Sequence, residues 1–508
     1  MKKIFVIAAA FALLLPSCSD KLDTSPTSQV DGGGMLATAD GAAMAINGVY
    51  RFMFDFAQST TTNSHQTFGP QSYTLMADMM GDDFVMAAQG NGWFWSDYRY
   101  LEKENITSGG HRPYDCWNFY YTLISNVNYI IDAQETITGN QTDIDYYMGQ
   151  AYALRAYGYH QLAMIFGRTY EGHEDDPGVP IYTTGTQSTT EGEPRGTLRD
   201  VYAQVTSDIE TALTLLSGKK QAHISHVDYY VANMFKARIY MHMGNNWDKV
   251  LTAAQEALKA TGKAVGESAE VTGGFNKFGN KNVMWAFEII TDQNTTNPQF
   301  FAHMDADGKS VYGNGDGRKC GSTVLYNLMS PTDVRRAWWD PANAKAAYQQ
   351  EKFKFSDPAT YAGDRILMRY EEAVLMEAEA LCRQGQEGPA RTSLMKLMAK
   401  RDTDFDAANY SGTAMGALTT DWTGSLLEMI IIQRRIELWG EYGRVWDIKR
   451  LKQGFKRTAE MGHPAEAYAA TDSRTVDNPE TWAWVMTLPK AEFDANPSLD
   501  ITKDQNPM

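Results

Sequence analysis

A dense run of aromatic residues is the first part of this sequence whose side chains could bind a ligand. Residues 89–102 read QGNGWFWSDYRYLE, which places five aromatic rings within eight residues. A pyranose sugar has apolar C–H faces and hydroxyl edges, so its site needs flat rings beside a few hydrogen-bonding groups. The Gly-Asn-Gly start of the run is typical of a loop. The residues that we predict to contact a ligand are Asn91, Trp93 and Trp95. Those that we predict to pack in the core are Phe94, Tyr98 and Leu101.

Two further loop regions combine rings with polar side chains. The mid-chain loop at residues 292–321 contributes three predicted contact residues, Phe300, Phe301 and Tyr312. An earlier region offers the same combination at His65, Gln66, Phe68 and Tyr73. The adjacent pair Trp338 and Trp339 is a further candidate for ligand contact, but core packing is the role that we predict for it.

The sequence lacks the short motifs that mark common catalytic sites. It has no H-E-x-x-H, G-x-S-x-G, P-loop or G-x-G-x-x-G pattern, so we predict that the protein is not an enzyme. Residues 172–178, GHEDDPG, gather a histidine and three carboxylates, and we interpret them as a solvated acidic turn. Residues 305–319 offer oxygen donors for Ca²⁺, but their spacing misses the EF-hand loop. We predict no metal site and no cofactor, with Ca²⁺ left open as an alternative.

Charged residues recur at helical spacings, mostly late in the chain. They are Arg155, Arg434, Arg435, Glu437, Glu441, Arg444 and Asp447. Residues three or four positions apart are neighbours on a helix, so opposite charges at these spacings can pair. Acid–base catalysis would instead need carboxylates that face each other across a cleft. We therefore predict structural ion pairs between packed helices.

The N-terminus has the features of an export signal. Two lysines precede an apolar run of about a dozen residues, which is shorter than the roughly 20 residues of a membrane-spanning helix. The run ends in LPSC, which resembles a bacterial lipobox with Cys18 as the lipidated residue. An ordinary secretory signal is the alternative. We predict a signal peptide at residues 1–17, followed by the lipidated Cys18 and a flexible polar tether over residues 18–34.

The composition excludes some classes of partner and of scaffold. The chain has 46 basic and 62 acidic residues and a net charge of −16, which argues against nucleic acid as a partner. The other cysteines, Cys116, Cys320 and Cys382, are too few and too widely spaced for a disulfide framework, although a single pairing stays open. The fold must therefore depend on its hydrophobic core.

Hydrophobic periodicity predicts a mainly α fold. Residues 114–135 and 146–167 repeat apolar positions at intervals of three and four, as amphipathic helices do. Residues 229–260 and 369–401 each read as a helix, a glycine turn and a second helix, similar to tetratricopeptide repeats. A fifth helical block covers residues 426–451. Between these blocks lie long Gly-, Asn- and Thr-rich loops, so we predict an irregular tetratricopeptide-like helix-pair scaffold with a long-loop-rich ligand-binding part.

The order of these segments resembles the SusD/RagB-like nutrient-binding outer-membrane lipoproteins of Gram-negative bacteria. The similar segments are LMADMMGDDF, WNFYYTLISNVNYIID, AYALRAYGYHQLAMIFG, RYEEAVLMEAEALCRQG, QRRIELWGEYGRVWDIKR and LPKAEFDANPSLDITKDQNPM. Gln433 stands where the family has a glutamate, and Met508 stands where a terminal Gly-Tyr is often found. The resemblance runs from Cys18 to the C-terminus.

This resemblance implies one SusD-like domain over residues 35–508, with four tetratricopeptide-like helix pairs and a variable loop-rich part. It also implies a surface glycan-binding lipoprotein, anchored by lipid to the outer membrane, that delivers oligosaccharide to a SusC-like TonB-dependent transporter. An oligopeptide ligand, or a surface glycoside hydrolase, are the alternatives. Family members often build their site from an aromatic segment after the early acidic motif and from a mid-chain loop, which favours the regions around Trp93 and Tyr312.

Overall fold

A computed structural model describes residues 32–56, 64–103, 111–293, 295, 297–309 and 311–508. Cys18, the predicted signal peptide and most of the predicted tether lie outside the described residues. The end of that tether, from Gly32, forms a short helix. Within the described ranges, none of the helices combines the length and the apolar character needed to cross a membrane.

Helices form most of the regular structure. In chain order they are α1 (Gly32–Met35), α2 (Ala39–Phe54), α3 (Pro70–Met79), α4 (Trp95–Tyr98), α5 (His111–Asp132), α6 (Gln141–Phe166), α7 (Leu198–Leu216), α8 (Tyr229–Met243), α9 (Trp247–Ala257), α10 (Ser268–Val271), α11 (Phe300–Met304), α12 (Thr323–Asn327), α13 (Tyr370–Arg383), α14 (Glu387–Met398), α15 (Leu426–Glu437), α16 (Arg444–Arg450), α17 (Ala465–Asp472), α18 (Lys490–Ala495) and α19 (Ile501–Asp504). The fold is mainly α, as predicted.

Successive helices pack against one another and confirm the predicted helix-pair scaffold. The packing runs from α5 through α6, α7 and α8 to α9, and α13 then packs against α9, α14 and α15. The pairs α8–α9 and α13–α14 are the two that the sequence predicts. Gly244 and Gly385 occupy their turns with φ values of 83° and 73°, a conformation that glycine adopts without strain. Fully buried alanines on α9, including Ala254 and Ala257, allow the paired helices to approach closely.

Short strands connect distant parts of the chain. They are β1 (Phe84–Met86), β2 (Val283–Phe287), β3 (Lys319–Gly321), β4 (Trp339–Asp340), β5 (Gln349–Gln350) and β6 (Arg365–Arg369). One antiparallel sheet has the order β1-β3-β5-β4, and β2 pairs with β6 in the other. In the first sheet Phe84 lies opposite Gly321, and Met86 lies opposite Lys319. Because the pairing is antiparallel, the chain that leaves β1 and the chain that enters β3 lie at the same end of the sheet. The aromatic run therefore lies beside the mid-chain loop.

The fifth predicted helical block is not one continuous helix. α15 ends at Glu437, and α16 begins only at Arg444. Between them Gly440 and Gly443 have φ values of 76° and 97°, which lie outside the range of a right-handed helix. A Cβ atom on Gly443 would lie 2.6 Å from the Trp446 ring, so the break is also a point of close packing.

Most of the side chains predicted to pack in the core do so. The buried ones are Phe94, Tyr98, Trp338 and Trp339. Leu101 is 46% exposed, so its predicted place in the core is wrong. The reason is local, because α4 ends at Tyr98 and Tyr100 then adopts a left-handed φ of 62°, which redirects the chain. The three cysteines Cys116, Cys320 and Cys382 are buried free thiols.

Several groups of buried ion pairs, which we together call the charge network, involve α15, α16 and the early acidic segment. The network comprises Asp82, Asp83, Arg335, Arg369, Arg401, Arg434, Arg435, Glu437, Glu441, Arg444 and Asp447. Arg435 lies 2.7 Å from Asp83, and Arg444 lies 2.9 Å from Asp82. Glu437 is paired with three arginines, two of them at 2.9 Å and 3.0 Å. Network side chains are at most 11% exposed.

Most ion pairs of this network join residues that are far apart in the sequence, rather than residues three or four positions apart on one helix. Arg435 and Asp83 are 352 positions apart, and Arg155, outside the network, pairs with Asp208 at 2.7 Å across 53 positions. Burial by itself raises the pKa of Asp82, but Arg444 and Arg435 outweigh it and hold that pKa well below its ordinary value. These carboxylates are neutralised by fixed partners, so the geometry agrees with the predicted structural ion pairs between packed helices.

Candidate ligand-binding site

Three ring-bearing side chains meet at the end of the β1–β3 pair. We call His65, Trp93 and Tyr312 the aromatic cluster. The Trp93 ring stacks on the His65 imidazole, with ring centroids 5.1 Å apart and planes 2° apart. The Tyr312 ring is tilted against both, with its centroid 5.7 Å from each. All three side chains are partly exposed, so the cluster presents ring surface to solvent.

Close backbone contacts fix the loop that carries Trp93. The Ala87 N–H donates to the Arg318 carbonyl at 3.2 Å, which extends the strand pairing toward the loops. Beyond it Gly90, with a φ of 54°, approaches Gly317 so closely that a Cβ atom on Gly90 would lie 2.3 Å from the Gly317 nitrogen. The side-chain oxygen of Asn91 then accepts the Trp93 N–H at 3.2 Å. The Trp93 loop is therefore held against the loop that leads from Tyr312 to β3.

A buried histidine supports the aromatic cluster from its inner side. His303 is fully buried, and its ring centroid lies 5.0 Å from that of Tyr312. Its Nε2 lies 2.8 Å from the His65 carbonyl oxygen, to which it donates. Burial, with a smaller contribution from Lys319, lowers the pKa of His303 to about 3. The imidazole is therefore neutral near pH 7 and places no charge behind the cluster.

Hydrogen-bonding groups surround the exposed rings. The Tyr312 hydroxyl is hydrogen-bonded to Nδ1 of His65. When the hydroxyl donates, Nε2 of His65 carries the proton and can donate to a ligand. Exposed Gln89 and Asn91 lie on one of the two adjoining loops, and exposed Asp316 lies on the other. Flat rings beside amide, imidazole and carboxylate groups match the faces and edges of a sugar.

Three of the six predicted contact residues lie in the interior. Trp95, Phe300 and Phe301 are 6%, 2% and 1% exposed. The Phe300 ring packs against Phe353 at 5.0 Å, because the whole of α11 is buried. Their burial argues against ligand contact, and only Asn91, Trp93 and Tyr312 are brought together at the surface.

The aromatic region around His65 and Tyr73 also contains both partly exposed and buried side chains. His65 stacks on Trp93, whereas Phe68 and Tyr73 are 1% and 2% exposed. Gln66 is also buried, and its side chain accepts a hydrogen bond from the Phe94 N–H, which anchors the aromatic run. Sequence reasoning ranked this region last, and it gave no role to His303. The sequence signal that could have indicated this region is the adjacent pair His65 and Gln66. The pair lies in a 3-10 helix, Ser64–Gln66, at the cluster.

Carboxylates of the two acidic loops, residues 172–178 and 305–319, have partners within the protein. Asp305 accepts backbone N–H groups of Asp307 and Phe355, each at 2.8 Å. In the other loop, Asp175 pairs with Arg199 at 2.9 Å. Across the described ranges, no group of three or more His, Cys, Asp or Glu side chains is arranged to hold a metal ion.

Comparisons with known proteins identify the family. Residues 56–241 match a SusD-like family described as starch-binding and associating with the outer membrane, and residues 274–508 match the SusD family. The SusD-like proteins P38 and P2 of Formosa agariphila are 22% and 23% identical to the chain, and each alignment covers 89% of this chain and 92% of the relative.

Solved structures show the same fold. A SusD-like carbohydrate binding protein from Bacteroides vulgatus superposes with a TM-score of 0.75 at 24% identity, covering 93% of this chain and 99% of that one. A SusD superfamily protein from Bacteroides thetaiotaomicron gives 0.75 at 21% identity, with 93% and 100% coverage. The surface glycan-binding protein A of Bacteroides uniformis gives 0.66 at 18% identity, with 92% and 99% coverage. Together with the two family matches, this similarity establishes that the chain belongs to the SusD/RagB-like family.

Proposed function

We propose that this protein is a surface glycan-binding lipoprotein that captures oligosaccharide at the aromatic cluster and delivers it to a SusC-like TonB-dependent transporter. The observation that carries the proposal is the partly exposed Trp93–His65 stack beside Tyr312, held in place by paired loops of a SusD-like fold. Two solved relatives are named as a carbohydrate binding protein and a surface glycan-binding protein, which supports a sugar as the ligand class.

The size of the cluster favours weak, reversible binding. A ring that covers about 50–100 Å² of a sugar contributes roughly 1–2 kcal/mol at ~25 cal/mol per Å². After the cost of association, two such rings give affinities of about micromolar to millimolar. A protein that passes its ligand to a transporter needs an affinity of this kind, because tight binding would slow release.

The family match and the N-terminal sequence support a location at the outer membrane. One family match is described as associating with the outer membrane, and the lipobox-like LPSC supplies an anchor at Cys18. Several acyl chains on one cysteine would hold the protein stably at a membrane surface. We assign the protein no catalytic role, because the exposed cluster offers rings and hydrogen-bonding groups for binding.

A titration of two matched variants tests the ligand site. The soluble chain from Ser19 onward is screened against neutral and acidic oligosaccharides, and the best ligand is titrated by calorimetry. Trp93→Ala is expected to weaken binding by about 5- to 30-fold, which is the loss of roughly 1–2 kcal/mol. Its thermal midpoint should fall less than that of Trp95→Ala, because Trp93 is partly exposed whereas Trp95 is 6% exposed.

Trp422→Ala is the matched control for this experiment. Trp422 is 45% exposed and contacts Arg435 rather than the aromatic cluster, so its loss should leave affinity unchanged. Equal affinity of Trp93→Ala and the parent chain would reject the cluster as the site. Binding of oligopeptides but not of sugars in the same screen would change the ligand class, and shortened products after incubation would reveal hydrolysis.

The partner is tested in the native membrane. Affinity capture of the lipidated protein from outer membranes in mild detergent should recover a large barrel protein. Its repeated absence, with the lipoprotein itself intact, would contradict delivery to a TonB-dependent transporter.

A further inference from the structure

A second concave surface lies along α5, apart from the aromatic cluster. Its walls are α5, the loop at residues 182–192 and the segment that includes α18. We call this surface the α5 groove. It encloses about 580 Å³, which is within the range of roughly 300–1,000 Å³ that is common for small-molecule sites.

Aromatic rings contribute much of the apolar lining of the α5 groove. Trp117 and Tyr121 lie one turn apart on α5, with ring centroids 4.8 Å apart, and Tyr182 meets Tyr121 edge to face at 6.0 Å. Tyr121 and Tyr182 are partly exposed, whereas Trp117 is 6% exposed. The Tyr121 hydroxyl donates to the Pro180 carbonyl at 2.7 Å, and the Tyr182 hydroxyl accepts the Glu193 N–H at 3.0 Å. These bonds hold both tyrosine rings in place before any ligand arrives.

A carboxylate with fixed geometry lies at the α18 side of the groove. Glu492 accepts the Trp117 indole N–H at 3.0 Å through one oxygen and the Asn496 amide at 2.9 Å through the other. Each carboxylate oxygen has a second lone pair, which can accept a hydroxyl group. The indole and amide bonds therefore orient Glu492 as an acceptor for a ligand with hydroxyl edges.

The remaining lining includes polar side chains and carries no positive charge. Thr122 and Asn126 contribute a hydroxyl and an amide from the exposed side of α5. The described residues that line the groove include Glu191 and Glu492 but no lysine or arginine. An anionic ligand would meet two carboxylates and no compensating cation, so the lining selects against it.

From this lining we propose that the α5 groove is a second carbohydrate-binding site, for a neutral oligosaccharide. Rings of fixed orientation would cover the apolar faces of the sugar, and Glu492, Asn126 and Thr122 would bond its hydroxyl edges. The proposal does not depend on the aromatic cluster, because the two surfaces share no residue.

One helix fixes the two sites relative to each other. At the start of α5, Arg112 forms bonds of 2.8 Å and 2.9 Å with Asp97, in the aromatic run that carries Trp93. Tyr121 lies nine positions further along the same helix, which is about 14 Å at 1.5 Å per residue. A long neutral glycan bound at both sites would gain affinity through effective concentration.

The test separates the groove from the cluster by single substitutions. Thr122→Arg places a long charged side chain in the groove from a partly exposed helix position, and Arg is a good helix former. Thr211→Arg, at a partly exposed position of α7, is the matched control. The probes are the neutral hexasaccharides of the maltose, cellobiose, mannose and xylose series, with hexagalacturonate as the acidic comparison.

Binding is followed by calorimetry and ligand-observed NMR in two backgrounds, the parent chain and Trp93→Ala. We expect one neutral series to bind the Trp93→Ala chain at millimolar concentration or better, and Thr122→Arg to remove at least 90% of that binding. Thr211→Arg should remove none, and hexagalacturonate should bind the groove at least tenfold more weakly.

Three results would overturn the proposal. The first is that no neutral probe binds Trp93→Ala, while the parent chain binds one at the cluster. The second is that Thr122→Arg leaves the residual binding unchanged. The third is that uncharged hexapeptides, rather than sugars, bind the groove and no longer bind in Thr122→Arg. That result would assign the groove to a protein segment. Failure of the cluster proposal is distinguishable, since it appears as unchanged affinity in Trp93→Ala alone.

Discussion

The charge network and the aromatic cluster each include residues near one short strand, β1, the first before the strand and the second after it. Asp82 and Asp83, directly before β1, are buried and paired with arginines of α15 and α16. Trp93, a few residues after β1, is partly exposed. The network joins segments more than 300 positions apart, and the cluster joins three loops at the surface. Among the residues that make the family recognisable, those of the network hold the fold, and the aromatic cluster is built on loops that these residues position.

The two regions also differ in what a lost side chain would cost. A buried ion that loses its partner keeps its desolvation penalty and loses the compensating attraction. A partly exposed ring such as Trp93 has no charge to leave unpaired, and its removal costs only its packing on His65 and Tyr312 and its contact with the ligand. Substitutions should therefore affect folding in the network and affinity in the cluster.

The largest expected effect is the loss of stability when a network carboxylate is removed. Glu437→Gln keeps the shape of the side chain but leaves Arg335, Arg369 and Arg401 without their shared charge. We expect a loss of about 3–5 kcal/mol in the free energy of unfolding, measured by urea denaturation.

Asp175→Asn is the control for the network substitution. Asp175 pairs with Arg199, but the two side chains are 81% and 57% exposed, so the denaturation midpoint should not change. If Glu437→Gln kept full stability and lost sugar binding, the network would belong to the ligand site and the distinction between the regions would fail.

A smaller loss of stability should distinguish two tryptophans of the same run. Trp95 is 6% exposed and packs beside Tyr98, so Trp95→Ala should cost about 3 kcal/mol or more through the cavity that it leaves. Its affinity for sugar, measured below the unfolding transition, should remain close to that of the parent chain. A stable Trp95→Ala chain with no affinity would return Trp95 to the ligand site.

The pH dependence of stability should show the smallest effect when it is expressed per group and per pH unit. Burial lowers the pKa of His160, His303 and His463 to about 3, against about 6.5 in an unfolded chain. The unfolded state then binds more protons between these values, so stability is complete above pH 6.5 and falls as the pH decreases. Each histidine contributes a slope of up to ~1.4 kcal/mol per pH unit.

Network carboxylates should add to this loss only at lower pH. The pKa values of Asp82 and Glu437 are held below their ordinary range, because nearby arginines outweigh the effect of burial. Their contribution to stability is present above about pH 4 and is lost as the pH falls further. Equal denaturation midpoints at pH 7 and pH 5 would contradict neutral buried histidines.

Much of the scaffold could be predicted from the sequence, because helix periodicity is a local signal. Helices α5 and α6 and the turns at Gly244 and Gly385 follow from residues within one or two turns of each other. The ion pairs of the network could not be placed in this way. Their charges were visible on α15 and α16, but most of their partners come from other segments.

The binding surfaces show the same limit. The sequence indicated Trp93 and Tyr312 as contact residues, but it did not distinguish them from Phe300 and Phe301. The rings of the latter two are buried, because the short helix α11 lies in the interior. The α5 groove was not predicted at all. Its rings and its carboxylate come from α5, the loop at residues 182–192 and α18, and no single segment carries the pattern.

The most direct test of the account is an experimental structure of the soluble chain with its best-binding oligosaccharide. We expect a sugar ring over the exposed face of Trp93, with heavy atoms within about 4–4.5 Å, and hydrogen bonds to His65 or Asn91. The charge network should be unchanged and should not contact the sugar. A bound sugar that leaves the Trp93 face empty, or that displaces the ion pairs of Arg435 and Arg444, would contradict the assignment of binding to the cluster and of folding to the network.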